Sequence, residues 1–200
     1  MRKAAILAGL VICICLNATA QRNQLALDVG VKITPQVGSN GSFNGVTTVD
    51  KSMAFEGNYA RELTSFPGAS VQLEFPFIYA FTSNVKSLNL FTASGYKSMF
   101  LTPSLKLQIG PKRKLSPWIS AGAGMAHFSD SKTAINGGAI SANATTKGAF
   151  QVGGGVDFRV RKITFRMEVR DLYTGPPNLV VSGIKVHNNI LAAGGVVFNF

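Results

Sequence analysis

The sequence has few cysteines, few acidic residues and no sustained helical periodicity, and each absence excludes a class of protein. Both cysteines, Cys13 and Cys15, lie in the first twenty residues, so the rest of the chain forms neither a disulfide framework nor a cysteine-based zinc module. Only 14% of the residues are charged, with 9 acidic residues against 20 Lys and Arg. Hydrophobic residues make up 46% of the chain, which is too many for a disordered protein. The length suits one domain with a buried core.

Residues 1–20 have the pattern of a secretory signal peptide. The basic pair Arg2-Lys3 precedes an apolar run over 4–16 and the small-residue site Ala18-Thr19-Ala20. The run is short for a helix that spans a bilayer, and the small residues mark a cleavage site. The sequence therefore predicts an exported chain whose folded domain is 21–200.

Apolar residues alternate with polar or small residues in eight segments of the remaining chain. Such period-two alternation predicts strands, and most segments have the length of a tilted strand that spans a membrane. The connections are alternately long and short, the long ones being 35–49, 80–96, 129–146 and 175–187. We predict an all-β fold, an eight-stranded antiparallel up-and-down transmembrane β-barrel with both termini on the short-turn side.

Pro103 lies inside the fourth segment, so a bulge or break is expected there.

The alternation is compatible with two opposite barrels. A soluble periplasmic, lipocalin-like binder has an apolar interior, whereas a membrane barrel has a polar one. The polar face carries five acids and five bases and is rich in glycine. An enclosed lumen needs such matching, because an unpaired charge in a confined interior is unfavourable. We therefore predict a lumen charge network of Asp28, Lys32, Glu56, Glu74, Lys106, Asp157, Arg159, Arg166, Glu168 and Arg170.

The chain ends in Phe198-Asn199-Phe200. A terminal Phe after alternating apolar residues resembles the C-terminal strand of Gram-negative outer-membrane β-barrels. With the signal peptide and the eight segments, the sequence resembles the small OmpA/OmpX-type barrels over almost the whole of 21–200.

This resemblance implies a monomer in the cell outer membrane, surrounded by outer-membrane lipid and lipopolysaccharide. It implies that Phe198 and Phe200 form a signal read by the outer-membrane insertion machinery. The implied role is non-enzymatic: membrane integrity, adhesion or surface recognition, with no named surface ligand. No cofactor is expected, and no metal site is expected because no His, Cys and carboxylate cluster has metal-ligand spacing.

His127-Phe128-Ser129 is the motif that leaves an enzymatic alternative open. Residues two apart on a strand lie on the same side, and a His beside a Ser can act as the base for a nucleophile. The spacing is similar to the His-x-Ser of the lipid A deacylase barrels, in which a downstream Glu orients the His. No Glu occurs between Glu74 and Glu168. The alternative to a lipid A-modifying enzyme is a histidine at the lipid interface.

Basic residues concentrate in two short turns, and the long connections are nearly neutral. Because no basic strip alternates with aromatic residues, the sequence does not predict nucleic-acid binding. The bases of the turns are expected at the periplasmic rim, near anionic headgroups: Lys112, Arg113, Lys114, Arg161 and Lys162.

Overall fold

A computed structural model describes residues 22–34, 37–38, 46–49, 51–87, 91–129, 131–135, 138–161, 163–175 and 187–200. The signal peptide predicted at 1–20 and the turn residue Lys162 lie outside the described residues. Within these ranges, no helix is long and apolar enough to cross a membrane.

The described residues form thirteen strands, of which nine make the wall of a barrel. In chain order they are β1 (Asn23–Ile33), β2 (Val37–Gly38), β3 (Val46–Val49), β4 (Ser52–Phe66), β5 (Ala69–Ser87), β6 (Phe91–Leu101), β7 (Ser104–Ile109), β8 (Leu115–Phe128), β9 (Ser131–Ile135), β10 (Gly138–Ala142), β11 (Thr145–Val160), β12 (Ile163–Thr174) and β13 (His187–Asn199).

The wall consists of eight antiparallel strand positions in the order β1, β4, β5, β6 with β7, β8, β11, β12 and β13. Each position pairs with the next along the chain, and β1 also pairs with β13, from Gln24 opposite Asn199 to Ile33 opposite Ile190. The sheet therefore closes on itself and leaves no free edge in the wall. The predicted eight-stranded up-and-down barrel is confirmed.

The fourth wall position is divided between β6 and β7 at Thr102 and Pro103, where the sequence predicted a bulge or break. Both halves pair with β5 on one side and β8 on the other. The backbone N–H of Ala123 donates to the carbonyl of Pro103 at 3.2 Å, and that of Thr102 donates to the carbonyl of Pro76 at 3.4 Å. The wall thus stays closed although proline supplies no N–H.

The prediction of a long connection over 80–96 is wrong. β5 continues to Ser87 and β6 begins at Phe91, with register shifts between Ala80 and Ser83 and between Val85 and Ser87. The predicted connection 129–146 likewise contains the hairpin of β9 and β10. Strand pairs beyond an apolar belt need no apolar alternation, so the sequence pattern does not reveal them.

Burial alternates along the wall strands. Polar side chains are buried and apolar side chains are exposed, which is the reverse of a soluble protein. In β12, Arg166, Glu168 and Arg170 are buried, whereas Phe165 and Met167 are exposed. The interior of the barrel is therefore polar and charged, and the exterior is apolar. This excludes the soluble lipocalin-like alternative, because such a barrel needs its apolar face inside.

Candidate functional site

The lumen end next to the long connections is filled by aromatic and aliphatic side chains. Tyr96 and Phe100 each pack edge-on against Phe128, with ring centroids 5.9 Å and 6.1 Å apart. Ile78 and Leu172 are buried in the same cluster. We call Ile78, Tyr96, Phe100, Phe128, Leu172 and Leu191 the apolar plug. The sequence pattern did not predict this plug, although Phe100 and Phe128 share the lumen-facing parity of their strands.

Arg170 is the centre of the next layer down. Its guanidinium group lies 2.9 Å from Glu74 Oε1, 3.0 Å from Glu56 Oε1 and 2.9 Å from Glu168 Oε1. Asn58 Nδ2 donates to the other oxygen of Glu74 at 3.0 Å. All five side chains are buried. The Arg170 guanidinium group thus donates hydrogen bonds to Glu74 and Glu168 and forms an ion pair with Glu56. Such a planar fork of donors is the geometry that favours arginine over lysine.

A second charged layer lies nearer the short turns and is built on Asp157. Arg166 binds this carboxylate in a bidentate manner, at 2.8 Å and 3.0 Å. Trp118 Nε1 donates to Asp157 Oδ1 at 3.2 Å, and Gln108 Nε2 donates to Oδ2 at 3.0 Å. The carboxylate is therefore satisfied on both oxygens. Arg166 and Asp157 are also direct partners in the register of β11 and β12.

Trp118 lies inside the lumen. Its ring is 4.5 Å from Lys106 Nζ and 5.1 and 5.3 Å from the guanidinium carbons of Arg166 and Arg170. Trp118 is not part of an aromatic girdle at the membrane interface, because it shares its strand face with the buried Ser116 and Ser120. The ring face instead stabilises cations that are removed from water.

Not every predicted member of the network is paired with an opposite charge. Lys32 Nζ donates to Ser98 Oγ at 3.0 Å and lies over the Tyr96 ring, just below the apolar plug. Arg159 is half-buried at the short-turn rim and has no ion pair with a described residue, so it stands apart from the network. Asp28 is fully buried, yet neither carboxylate oxygen has a hydrogen-bond partner among the described residues.

The exterior of the wall is covered by large apolar side chains. Ile119, Met167 and Met53 are 64%, 65% and 62% exposed, and comparable residues face outward on every wall strand. Two exposed tyrosines have the amphipathic rings that favour a membrane interface. Tyr173 lies near the end of β12, and Tyr59 donates a hydrogen bond to Asn23 Oδ1 at the start of β1 at 2.9 Å. An exterior of this kind matches hydrocarbon and not water.

No family model matches the sequence, and no curated protein matches it either. Solved structures do match. OprG from Pseudomonas aeruginosa is 14% identical, with 90% of this chain and 96% of that chain covered and a TM-score of 0.59. Neisserial surface protein A is 14% identical, with coverage of 90% and 97% and a TM-score of 0.54. The attachment invasion locus protein Ail of Yersinia pestis is 14% identical, with coverage of 88% and 99% and a TM-score of 0.50.

The chain has the fold of the small outer-membrane β-barrels. Together with the apolar belt, this fold places the barrel in the outer membrane. In such barrels the short turns face the periplasm and the long connections face the cell exterior. The apolar plug therefore closes the outer end of the lumen, and the Arg170 and Asp157 layers lie below it.

His127 and Ser129 face outward at the outer end of β8, as the alternation predicted. His127 is half-buried, and its Nδ1 lies 3.0 Å from the hydroxyl of Thr146. Ser129 Oγ accepts a hydrogen bond from the backbone N–H of Lys97 at 2.9 Å. Asp130, the acidic residue that follows Ser129 in the chain, lies outside the described residues. A hydroxyl beside the imidazole holds the ring in place but lacks the charge with which a carboxylate stabilises an imidazolium.

The end of the last strand is held to the start of the first in this outer-membrane barrel. Asn23 and Phe200 exchange backbone hydrogen bonds of 2.9 Å and 3.0 Å. Phe198 and Phe200 face outward and are 52% and 69% exposed. Both predicted signal residues are thus on the lipid side of the wall. Their reading by the insertion machinery stays a prediction.

Proposed function

We propose that this outer-membrane barrel is a closed, non-enzymatic scaffold that presents its long connections to a ligand at the cell surface. One observation carries the proposal: buried side chains occupy the lumen in successive layers. The apolar plug of Tyr96, Phe100 and Phe128 lies over a layer of ion pairs centred on Arg170. An eight-stranded barrel has room inside for little more than side chains. This interior supports a scaffold and not a transport channel.

At the outer end of the barrel, strand pairs and long connections are available for contact with a ligand. β5 and β6 continue as a strand pair, and β9 and β10 form a hairpin within the connection between β8 and β11. The long connections are rich in Gly, Ser, Thr and Asn. Two proteins that share the fold have names that refer to the surface or to attachment, Neisserial surface protein A and Ail. At 14% identity the likeness is one of fold, so the support for a contact role comes from this chain's own connections.

The lipid A-modifying alternative has less support. A serine nucleophile needs a base that is itself oriented, and the described partner of His127 Nδ1 is the Thr146 hydroxyl. Ser129 Oγ already accepts the Lys97 N–H. Both hydrogen bonds link neighbouring strands at the outer rim of the wall. They support the non-enzymatic role.

Surface binding is tested by producing the protein in a non-adherent Gram-negative host. We expect these cells to bind at least one class in a panel of immobilised proteins and polysaccharides. Replacing residues 131–142 by Gly and Ser of equal length should reduce binding if this hairpin carries it, and Lys112→Ser in a periplasmic turn serves as the control. Binding no greater than that of cells with an empty vector would contradict the contact role.

The enzymatic alternative is tested in the same cells by mass spectrometry of lipid A. We expect an identical lipid A profile for the wild-type protein and for Ser129→Ala. A modification that appears with the wild-type protein and disappears in Ser129→Ala and His127→Ala would overturn the non-enzymatic assignment.

A further inference from the structure

Three carboxylates from three strands meet in the lumen. Asp28 of β1, Glu56 of β4 and Glu168 of β12 each offer an oxygen, and these oxygens lie within 4.8 Å of one another. The three residues are 0%, 1% and 4% exposed. Like charges at this distance repel more strongly in a buried site than in water. Some positive species is needed to hold them together.

The strand register creates this cluster. Asp28 lies directly opposite Glu56 in the pairing of β1 with β4, an arrangement of like charges that destabilises a sheet. Between β1 and β12 runs β13, where Gly195 pairs with Asp28 and Ala193 pairs with Glu168. No side chain longer than a methyl group therefore separates Asp28 from Glu168. Because these residues of β13 are small, the carboxylates of Asp28 and Glu168 can approach each other across two strand spacings.

The positive side chains of the barrel are engaged elsewhere or shared. Arg170 contacts Glu56 and Glu168 but also Glu74. Arg166 binds Asp157. Lys106 lies over the Trp118 ring, and its Nζ has no hydrogen-bond partner among the described residues. Neither oxygen of Asp28 accepts a hydrogen bond from any residue that the structure describes. It is a fully buried carboxylate, unpartnered among the described residues, within the group of three.

We propose that Asp28, Glu56 and Glu168 bind a divalent cation of the calcium type. Carboxylate oxygens without nitrogen or sulfur are the ligands of hard cations. The 4.8 Å envelope matches the span across a calcium ion, which is about twice the Ca–O distance of 2.3–2.6 Å.

The charges of the two lower layers agree with a divalent ion. These layers hold five buried carboxylates, Asp28, Glu56, Glu74, Asp157 and Glu168, and three buried cations, Lys106, Arg166 and Arg170. With every carboxylate ionised, five negative and three positive charges leave a deficit of two. One divalent cation brings the sum to zero, while Lys32 lies higher, against Tyr96 and Ser98.

Trp118 provides a direct reporter. It is the single tryptophan of the chain, and its ring lies 5.3 Å from Arg170, which itself contacts Glu56 and Glu168. Terbium(III) has the ligand preference of calcium and emits when a nearby excited tryptophan transfers energy to it. The protein is extracted from membranes, freed of lipopolysaccharide in a detergent micelle, stripped with a chelator and titrated with terbium under tryptophan excitation.

We expect saturable terbium emission that calcium displaces. Asp28→Asn should weaken terbium binding at least tenfold, and Glu62→Gln at the periplasmic rim should leave it unchanged. Glu56→Gln is the second variant if Asp28→Asn does not fold, folding being checked by the shift in gel mobility on boiling. Folded wild-type protein without tryptophan-sensitised emission, or emission unchanged in a folded Asp28→Asn or Glu56→Gln, would overturn the proposal.

Stability provides an independent readout. Calcium should raise the unfolding midpoint of the wild-type protein and leave that of Asp28→Asn unchanged. In chelator, Asp28→Asn should be at least as stable as the wild type, because the substitution removes an uncompensated buried charge. An equal effect of calcium on both proteins, or a large loss of stability in Asp28→Asn in chelator, would show that no cation is held there.

Discussion

At the scale of residues, Arg170 is the side chain that contacts three of the carboxylates buried in the lumen. Its guanidinium group contacts Glu56, Glu74 and Glu168 at 2.9–3.0 Å. Removing one partner of a buried ion pair leaves an uncompensated charge, which is far more harmful than replacing the whole pair by apolar residues. In this barrel one side chain neutralises several carboxylates at once.

Arg170→Met should therefore lower the free energy of unfolding by about 3–5 kcal/mol, the range for a broken buried pair. Lys112→Met in an exposed periplasmic turn is the matched control, and its effect should be close to zero. Urea unfolding in detergent micelles, followed by Trp118 fluorescence, measures both. Equal midpoints for the two variants would contradict the assigned role of Arg170.

Gly155 makes room for the Trp118 ring. A Cβ added at Gly155 would meet ring atoms at 2.7 Å and the carbonyl oxygen of Met167 at 2.4 Å, whereas a Cβ at Gly57 meets nothing within 4 Å. We expect Gly155→Ala to destabilise the barrel by about 1–3 kcal/mol, the usual effect of overpacking. Gly57→Ala should be neutral. The difference between their thermal unfolding midpoints tests this packing, and no difference would contradict it.

At the scale of elements, β6, β7 and β8 combine a broken strand with an apolar end. Thr102 Oγ1 donates to Gln151 Oε1 at 2.6 Å, so the break at Pro103 is tied across the lumen to β11. Above it, Phe100 of β6 packs on Phe128 of β8. These strands therefore bring an apolar plug to the outer end of a polar lumen.

Opening this plug should let ions through. We expect the double substitution Phe100→Ser and Phe128→Ser to raise single-molecule conductance in a planar bilayer above the near-zero level of the wild type. Phe66→Ser, at the exposed periplasmic end of β4 and outside the lumen, should not change conductance. A wild-type barrel that conducts as well as the double variant would show that the plug does not close the lumen.

At the scale of the whole molecule, closure of the sheet and the apolar belt make the barrel stable in a membrane. All wall strands have two partners, and a closed barrel satisfies the backbone hydrogen bonds that lipid cannot. The inside is polar and charged, and the outside is apolar. The barrel therefore needs a membrane or detergent around it.

This architecture predicts a heat-modifiable protein in the outer-membrane fraction. Unboiled samples should migrate differently from boiled ones on a gel, because the hydrogen-bonded wall resists detergent until it is heated. A lumen variant such as Arg170→Met should lose the shift at a lower temperature. A protein found in the soluble periplasmic fraction, with no shift on boiling, would contradict the membrane barrel.

Much of this fold follows from local pattern. Period-two alternation predicted eight wall positions, and Pro103 predicted the break between β6 and β7. The match of acids and bases on the polar face predicted that this face lines the lumen. The pattern is readable because each strand spans the belt with one face in lipid. Outside the belt that constraint ends, which is why the extended pair of β5 and β6 was predicted as a connection.

The sequence by itself determined which residues face inward, whereas the tertiary structure decided which of them meet. Parity places Asp28, Glu56 and Glu168 on one face of their strands, but only closure and register bring their oxygens within 4.8 Å. The same holds for Arg170 with its three carboxylates and for Trp118 among the cations. Alternation is a property of neighbouring residues, and contacts across a lumen depend on pairing between strands far apart in the chain.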